Sequence, residues 1–91
     1  MPKFEIRVAK ILEGGECPAG YRVGDTWVHE YEGPPLTVPN FCAWAFHEML
    51  PCLFVLAYGG RFPWEEPGRA TMCCSDSKNP AVFEIRRLDT E

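Results

Sequence analysis

The chain has no Cys-x-x-Cys pair, no run of basic residues, no apolar stretch of bilayer length and only two histidines. Each absence removes a class of function. Local cysteine pairs are the strong part of a zinc signature, so the spacing does not match the known ones. The densest basic stretch is Arg86-Arg87 and the formal net charge is −4. A nucleic-acid partner is therefore not expected, because phosphate binding needs a basic face. The longest apolar stretch, residues 50–58, is well short of the roughly 20 residues of a membrane span. Residues 1–5 carry no apolar core of signal-peptide length. The sequence thus predicts a soluble cytoplasmic protein with no membrane partner. No phosphate loop, nucleophile elbow or dinucleotide fingerprint is present.

What is present is an ordinary globular composition in 91 residues, with 46% hydrophobic and 24% charged side chains. Those proportions fit one domain, residues 1–91, with a single modest core. Nine prolines and eight glycines gather in clusters that read as loops.

Phe4-Glu5-Ile6-Arg7-Val8 alternates apolar and charged residues, the period of a half-buried strand, and predicts a strand over 3–12. Cys17-Pro18-Ala19-Gly20 and Val23-Gly24-Asp25 are turn chemistry. Residues 26–31 are rich in β-formers and predict a second strand, paired with the first across a long structured connection. A loop follows through Gly33-Pro34-Pro35 to Pro39, and Asn40 is the expected helix N-cap. Residues 41–49 predict a helix. Pro51 is expected to interrupt it and start a second short helix over 52–58, stopped at Gly59-Gly60. Short strands are expected over 70–74 and 81–88, with Phe83 and Ile85 inward and Glu84 and Arg86 outward. The predicted fold class is α+β: a small antiparallel sheet in β-β-α-β-β order, packed against a kinked, largely buried helical segment.

The landmarks form a series: Cys17-Pro18-Ala19-Gly20, Val23-Gly24-Asp25, Cys42-Ala43-Trp44-Ala45 with His47 and Pro51, Tyr58-Gly59-Gly60, Phe62-Pro63-Trp64-Glu65, Cys74-Ser75-Asp76, and Asn79-Pro80 before the last strand. The series resembles a family of small uncharacterised bacterial and archaeal proteins of about the same length, over nearly the whole chain. That resemblance implies one cysteine in each of three motifs, Cys17, Cys42 and Cys74. Ser75 stands where the family commonly has proline, and Cys52 and Cys73 are extras. The family brings no assigned activity.

Five cysteines, an odd number without a signal peptide, do not suggest a disulfide framework. Three readings compete. In the leading one, Cys17, Cys42 and Cys74 converge from element boundaries to bind zinc or an iron–sulfur group, with His47 or Asp76 as fourth ligand and His29 as another candidate. In the second, Cys42 is a catalytic thiol in the first turn of the helix, where free N–H groups favour thiolates. It would act in a pocket lined by Trp44 and Trp64, the candidate ligand-binding residues, and would need a base such as His29. In the third, the cysteines are core side chains, as suits Cys52 and one of Cys73 and Cys74, in a module that self-associates as a homo-oligomer through its aromatics. Glu65-Glu66, Asp25 and Asp76 read as loop charges and turn residues rather than acid–base catalysts.

Overall fold

The structure, a computed structural model, describes residues 3–30 and 41–88. In chain order it has strand β1 (Lys3–Ile11), a 3-10 turn (Leu12–Gly14), β2 (Thr26–Glu30), helix α1 (Ala43–Ala57), β3 (Arg69–Cys73) and β4 (Ala81–Arg87). This is the small α+β fold of the sequence reading, a four-stranded sheet with one helix. Its spatial order is β2-β1-β4-β3, with every neighbouring pair antiparallel. Tyr31, the loop through Pro39 and the expected cap Asn40 lie outside the described residues.

The alternation in β1 does what its period dictates. Phe4, Ile6 and Val8 are buried on one face, where Phe83 and Ile85 of β4 and Ala70 of β3 join them. Met49, Leu53 and Leu56 of α1 are buried in the same core cluster. Each such side chain, removed from water, contributes about 1.5–3 kcal/mol before chain entropy is set against it. The opposite face is wet and charged. Register sets Arg7 across from Glu84 and Glu5 across from Arg86, and their ion pairs close at 3.1 and 3.3 Å. Exposed cross-strand pairs of this kind are worth about 0.2–1 kcal/mol each.

The helical segment departs from expectation in two ways. One helix runs through Pro51 where two short ones were expected. Pro51 removes only the amide that would have bonded the His47 carbonyl. Both residues are exposed, so water can satisfy that carbonyl while Met49 and Leu53 anchor the helix on either side. Nor is the helix buried on most sides. Ala45, Met49, Leu53 and Leu56 form the inner stripe, while Trp44, Phe54 and Tyr58 are exposed despite being apolar. Gly59, at φ 82°, ends it as expected, and the Gly60 amide donates to the Val55 carbonyl at 2.7 Å.

Strand direction decides where the loops gather. Ile11, the last residue of β1, pairs with Ala81, the first of β4, and Cys73, the last of β3, pairs with Val82. At the other end of β4 the Arg87 guanidinium donates to the Leu56 carbonyl at 2.8 Å, holding the C-terminal turn of α1 there. The N-terminus of α1 therefore points toward the end where β1 finishes and β4 begins.

Replacing Leu53 by Ala should cost about 2–5 kcal/mol in urea unfolding, the usual range for a fully buried leucine. Pro51→Ala should stabilise by about 1–3 kcal/mol, because it restores a helical hydrogen bond. A helix that started afresh at Pro51 would gain nothing from that change.

Candidate functional site

At that end of the sheet lies a pocket of about 270 Å³ lined by Cys17, Cys42 and Cys74 together. The three come from the loop after β1, the start of α1 and the turn after β3. Trp44, Ala45, Ala81 and Phe83 make its remaining surface mostly apolar, with Tyr21, Asp76 and Asn79 at its polar points. A depression of similar volume on the outer sheet face is lined by Glu5, Arg7, Glu84 and Arg86, whose charges are spent on one another.

Each cysteine is positioned by its own local chemistry. Cys17 opens a turn in which the Gly20 amide donates to its carbonyl at 2.9 Å, and Gly20 takes φ 85° as that turn requires. The Glu16 amide donates to Asn79 Oδ1 at 3.2 Å, strapping the Cys17 loop to the turn that follows Cys74. The strap runs so close to Gly15 that a Cβ there would collide with the Asn79 side chain. Cys74 exchanges two bonds with Ala81. Its amide donates to the Ala81 carbonyl at 3.0 Å, and the Ala81 amide donates to Cys74 Sγ at 3.3 Å.

Cys42 sits two positions earlier in the helix than expected. It is the N-cap residue itself, with φ −60° and ψ 122°, and its thiol makes no capping hydrogen bond. Its carbonyl accepts the Phe46 amide at 2.9 Å, the first helical bond. Its own amide donates to the Tyr21 hydroxyl oxygen at 2.6 Å. That contact ties the start of α1 to the loop after β1.

Tyr21 is the residue that the sequence reading missed. Its ring lies 4.7 Å from Trp27, 5.6 Å from Phe41 and 6.4 Å from Phe83, centroid to centroid. Packed this way, its phenol is pushed above its ordinary pKa of 10.0, first by burial and further by the neighbouring Cys42 and Cys17 thiols and Asp25, against the lowering effect of the Cys42 amide. Its position directly after the Cys-Pro-Ala-Gly turn was the available signal. Asp76 behaves as a turn residue: Oδ1 accepts the amides of Lys78 at 2.9 Å and Asn79 at 3.1 Å. Those two amides, Lys78 first, hold its carboxyl below the usual carboxylate range.

Other candidates fall elsewhere. His47 is exposed and pairs with Glu48 at 3.2 Å, and neither it nor His29 lines the pocket. Among the described residues no group of three His, Cys, Asp or Glu side chains is arranged to hold a metal ion. Trp44 lines the pocket, whereas Trp64 lies outside it, 5.3 Å from Phe62 and 76% exposed. Cys52 packs against the core, and burial raises its thiol pKa. Cys73 is exposed and lines no part of the pocket. Glu66 pairs with Arg69 at 3.6 Å on the surface.

Comparison with known proteins found no matching family model, no similar curated protein and no similar solved structure. No described helix is long and apolar enough to cross a membrane.

Tyr21→Phe removes the bond to Cys42 and should cost about 0.5–1.5 kcal/mol in urea unfolding at neutral pH. The raised phenol adds a pH signature. Its folded pKa exceeds the unfolded one, so its stabilisation is complete below the unfolded value and fades as pH rises through the folded value. The wild-type protein should therefore lose more stability than Tyr21→Phe between about pH 9 and 12, across the ordinary tyrosine range.

Proposed function

We propose that this chain is a small metal-binding protein whose cofactor is held by the thiolates of Cys17, Cys42 and Cys74. The observation that supports this reading is selective convergence. The three cysteines singled out by their motifs line one pocket, and Cys52 and Cys73 do not. Three thiols line it beside the oxygens of Tyr21, Asp76 and Asn79, and three sulfur donors favour soft or borderline metals such as zinc, copper(I) or iron in a sulfide cluster over magnesium or calcium. The Ala81 amide, aimed at Cys74 Sγ at 3.3 Å, is the kind of outer contact that tunes a ligating sulfur. All five cysteines are free, which suits a reducing compartment, and we place the protein in the cytoplasm on that ground.

Neither His47 nor Asp76 fits the role of fourth ligand well. His47 is turned to solvent beside Glu48, and Asp76 Oδ1 is committed to two turn amides. The protein thus brings three thiolates and leaves one coordination position for a ligand from outside.

A second reading is favoured by the position of Cys42 at the helix N-cap beside Tyr21. There Cys42 is a nucleophile toward a small apolar electrophile that enters against Trp44. It lacks a nearby histidine base, which places it behind the metal reading.

Elemental analysis of protein purified anaerobically without chelator tests both. The metal reading expects bound metal, slow alkylation of Cys17, Cys42 and Cys74, and fast alkylation of Cys73. Metal-free protein that takes up neither zinc nor iron, with Cys42 alkylated faster than the other four, would transfer the assignment to the nucleophile.

A further inference from the structure

Independently of what the pocket holds, we infer that the outer face of α1 is a homodimer seam, on which a second copy of this chain packs antiparallel about a two-fold axis near Pro51. Residue spacing carries the argument. At about 100° per residue, Trp44, His47, Pro51, Phe54 and the C-cap residue Tyr58 fall on one stripe. It lies opposite the core stripe of Ala45, Met49, Leu53 and Leu56. All five outer residues are exposed. Steps of three and four residues are those by which two helices share a seam.

The stripe is apolar enough to need a cover. A helix that is apolar on both sides is ordinarily buried on both. Trp44 is 55%, Phe54 41% and Tyr58 67% exposed. The rings of Phe54 and Tyr58 stack at 6.1 Å and 14°, which makes a flat aromatic plate on the surface. Scaled by such exposures, the stripe offers roughly 500–600 Å² per chain, with about 150–250 Å² for a whole aromatic side chain. Two copies then bury about 1,000–1,200 Å², the lower end of specific interfaces.

The pattern of the stripe selects a second copy as the occupant. Trp44 and Tyr58 stand at equal distances from Pro51 along the helix, and His47 and Phe54 nearly so. An antiparallel crossing at Pro51 therefore sets Trp44 against the partner's Tyr58, and His47 against the partner's Phe54. Each ring meets a ring, as a self-complementary two-fold interface requires. The compact Pro51 ring at the axis lets the helices approach. The only acidic or basic side chains of α1, His47 and Glu48, meet each other at 3.2 Å, so no lone charge confronts its own image. The helix holds no lysine or arginine to meet anionic headgroups, which sets a lipid surface aside. The His47 carbonyl, freed by Pro51, keeps its water, as polar groups in interfaces commonly do.

Sedimentation equilibrium of the full chain tests this from about 1 µM to about 1 mM, the range open to an interface of this size. The expected result is a reversible monomer–dimer equilibrium with a micromolar Kd. Phe54→Lys and Tyr58→Lys should each raise that Kd at least about tenfold. Trp64→Lys, at the most exposed aromatic outside α1, should leave it unchanged. Mixing Trp44→Glu chains with Tyr58→Lys chains should restore association that each has lost alone, because opposite charges then face each other at one end of the seam. Circular dichroism checks the fold of every variant, and glutamine replaces the charge at any position where it fails. A chain that stays monomeric throughout overturns the inference and leaves the face to a different protein. A dimer that survives Phe54→Lys and Tyr58→Lys, or is lost on Trp64→Lys, overturns it too. A mixture that fails to associate overturns the antiparallel pairing.

Discussion

The pairing of β1 with β4 is the constraint on which everything else rests. It joins residues 3–11 to residues 81–87, the two ends of the described chain, and lies at the centre of the sheet. Its register sets Ile6 opposite Ile85 and Val8 opposite Phe83, so both strands turn their apolar residues to α1. A slip by one residue would carry Arg7 and Glu84 into the core. The same pairing decides which loops meet: because Ile11 faces Ala81, the segment leaving β1 and the turn entering β4 emerge side by side. Cys17 and Cys74, far apart in sequence, become neighbours on one cavity as a consequence of strand direction.

A chain of this size has one core, and the pocket sits on its rim. Phe83 belongs to both, and Cys42 and Cys74 pack against buried side chains while facing the cavity. Cost follows from that sharing. Trading either cysteine for a polar residue leaves a polar group against the apolar rim. A change at either position therefore acts on the pocket and on the fold together.

The parts of the fold with a local cause were legible in the sequence. The period of residues 4–8, the turn glycines at 20 and 59 and the alternation of residues 82–86 each carry their own instruction. The three motif cysteines were read as a set from the resemblance of their motifs, and the structure places all three on one pocket. The helix was read as two because Pro51 breaks helices in isolation. What keeps it whole is the anchoring of Met49 and Leu53, a tertiary fact. Trp64 was read as pocket lining for its size and its loop, yet it packs on Phe62 in a different part of the molecule. Tyr21 was overlooked because a tyrosine after a turn is unremarkable until Trp27, Phe41 and Phe83 close around it. Asn40 carried the expected cap, but the cap proved to be Cys42. That shift changes its backbone from helical to extended, and its amide is free to meet Tyr21.

The three thiols are not held alike, and the difference bears on how the site works. Cys42 begins a helix of 15 residues, and its backbone is fixed at both ends by Tyr21 and Phe46. Cys74 is held by two bonds to Ala81 at the margin of the sheet. Cys17 hangs on a single turn and on the one strap from Asn79 to the Glu16 amide. Its segment also holds Glu13 and Gly14 at positive φ, 60° and 64°, backbone that costs a non-glycine residue energy to maintain. The Cys17 loop is the least braced wall of the pocket, and its position depends most on the Asn79 strap. The asparagine strap limits that freedom by holding the residue before Cys17 against the turn that follows Cys74.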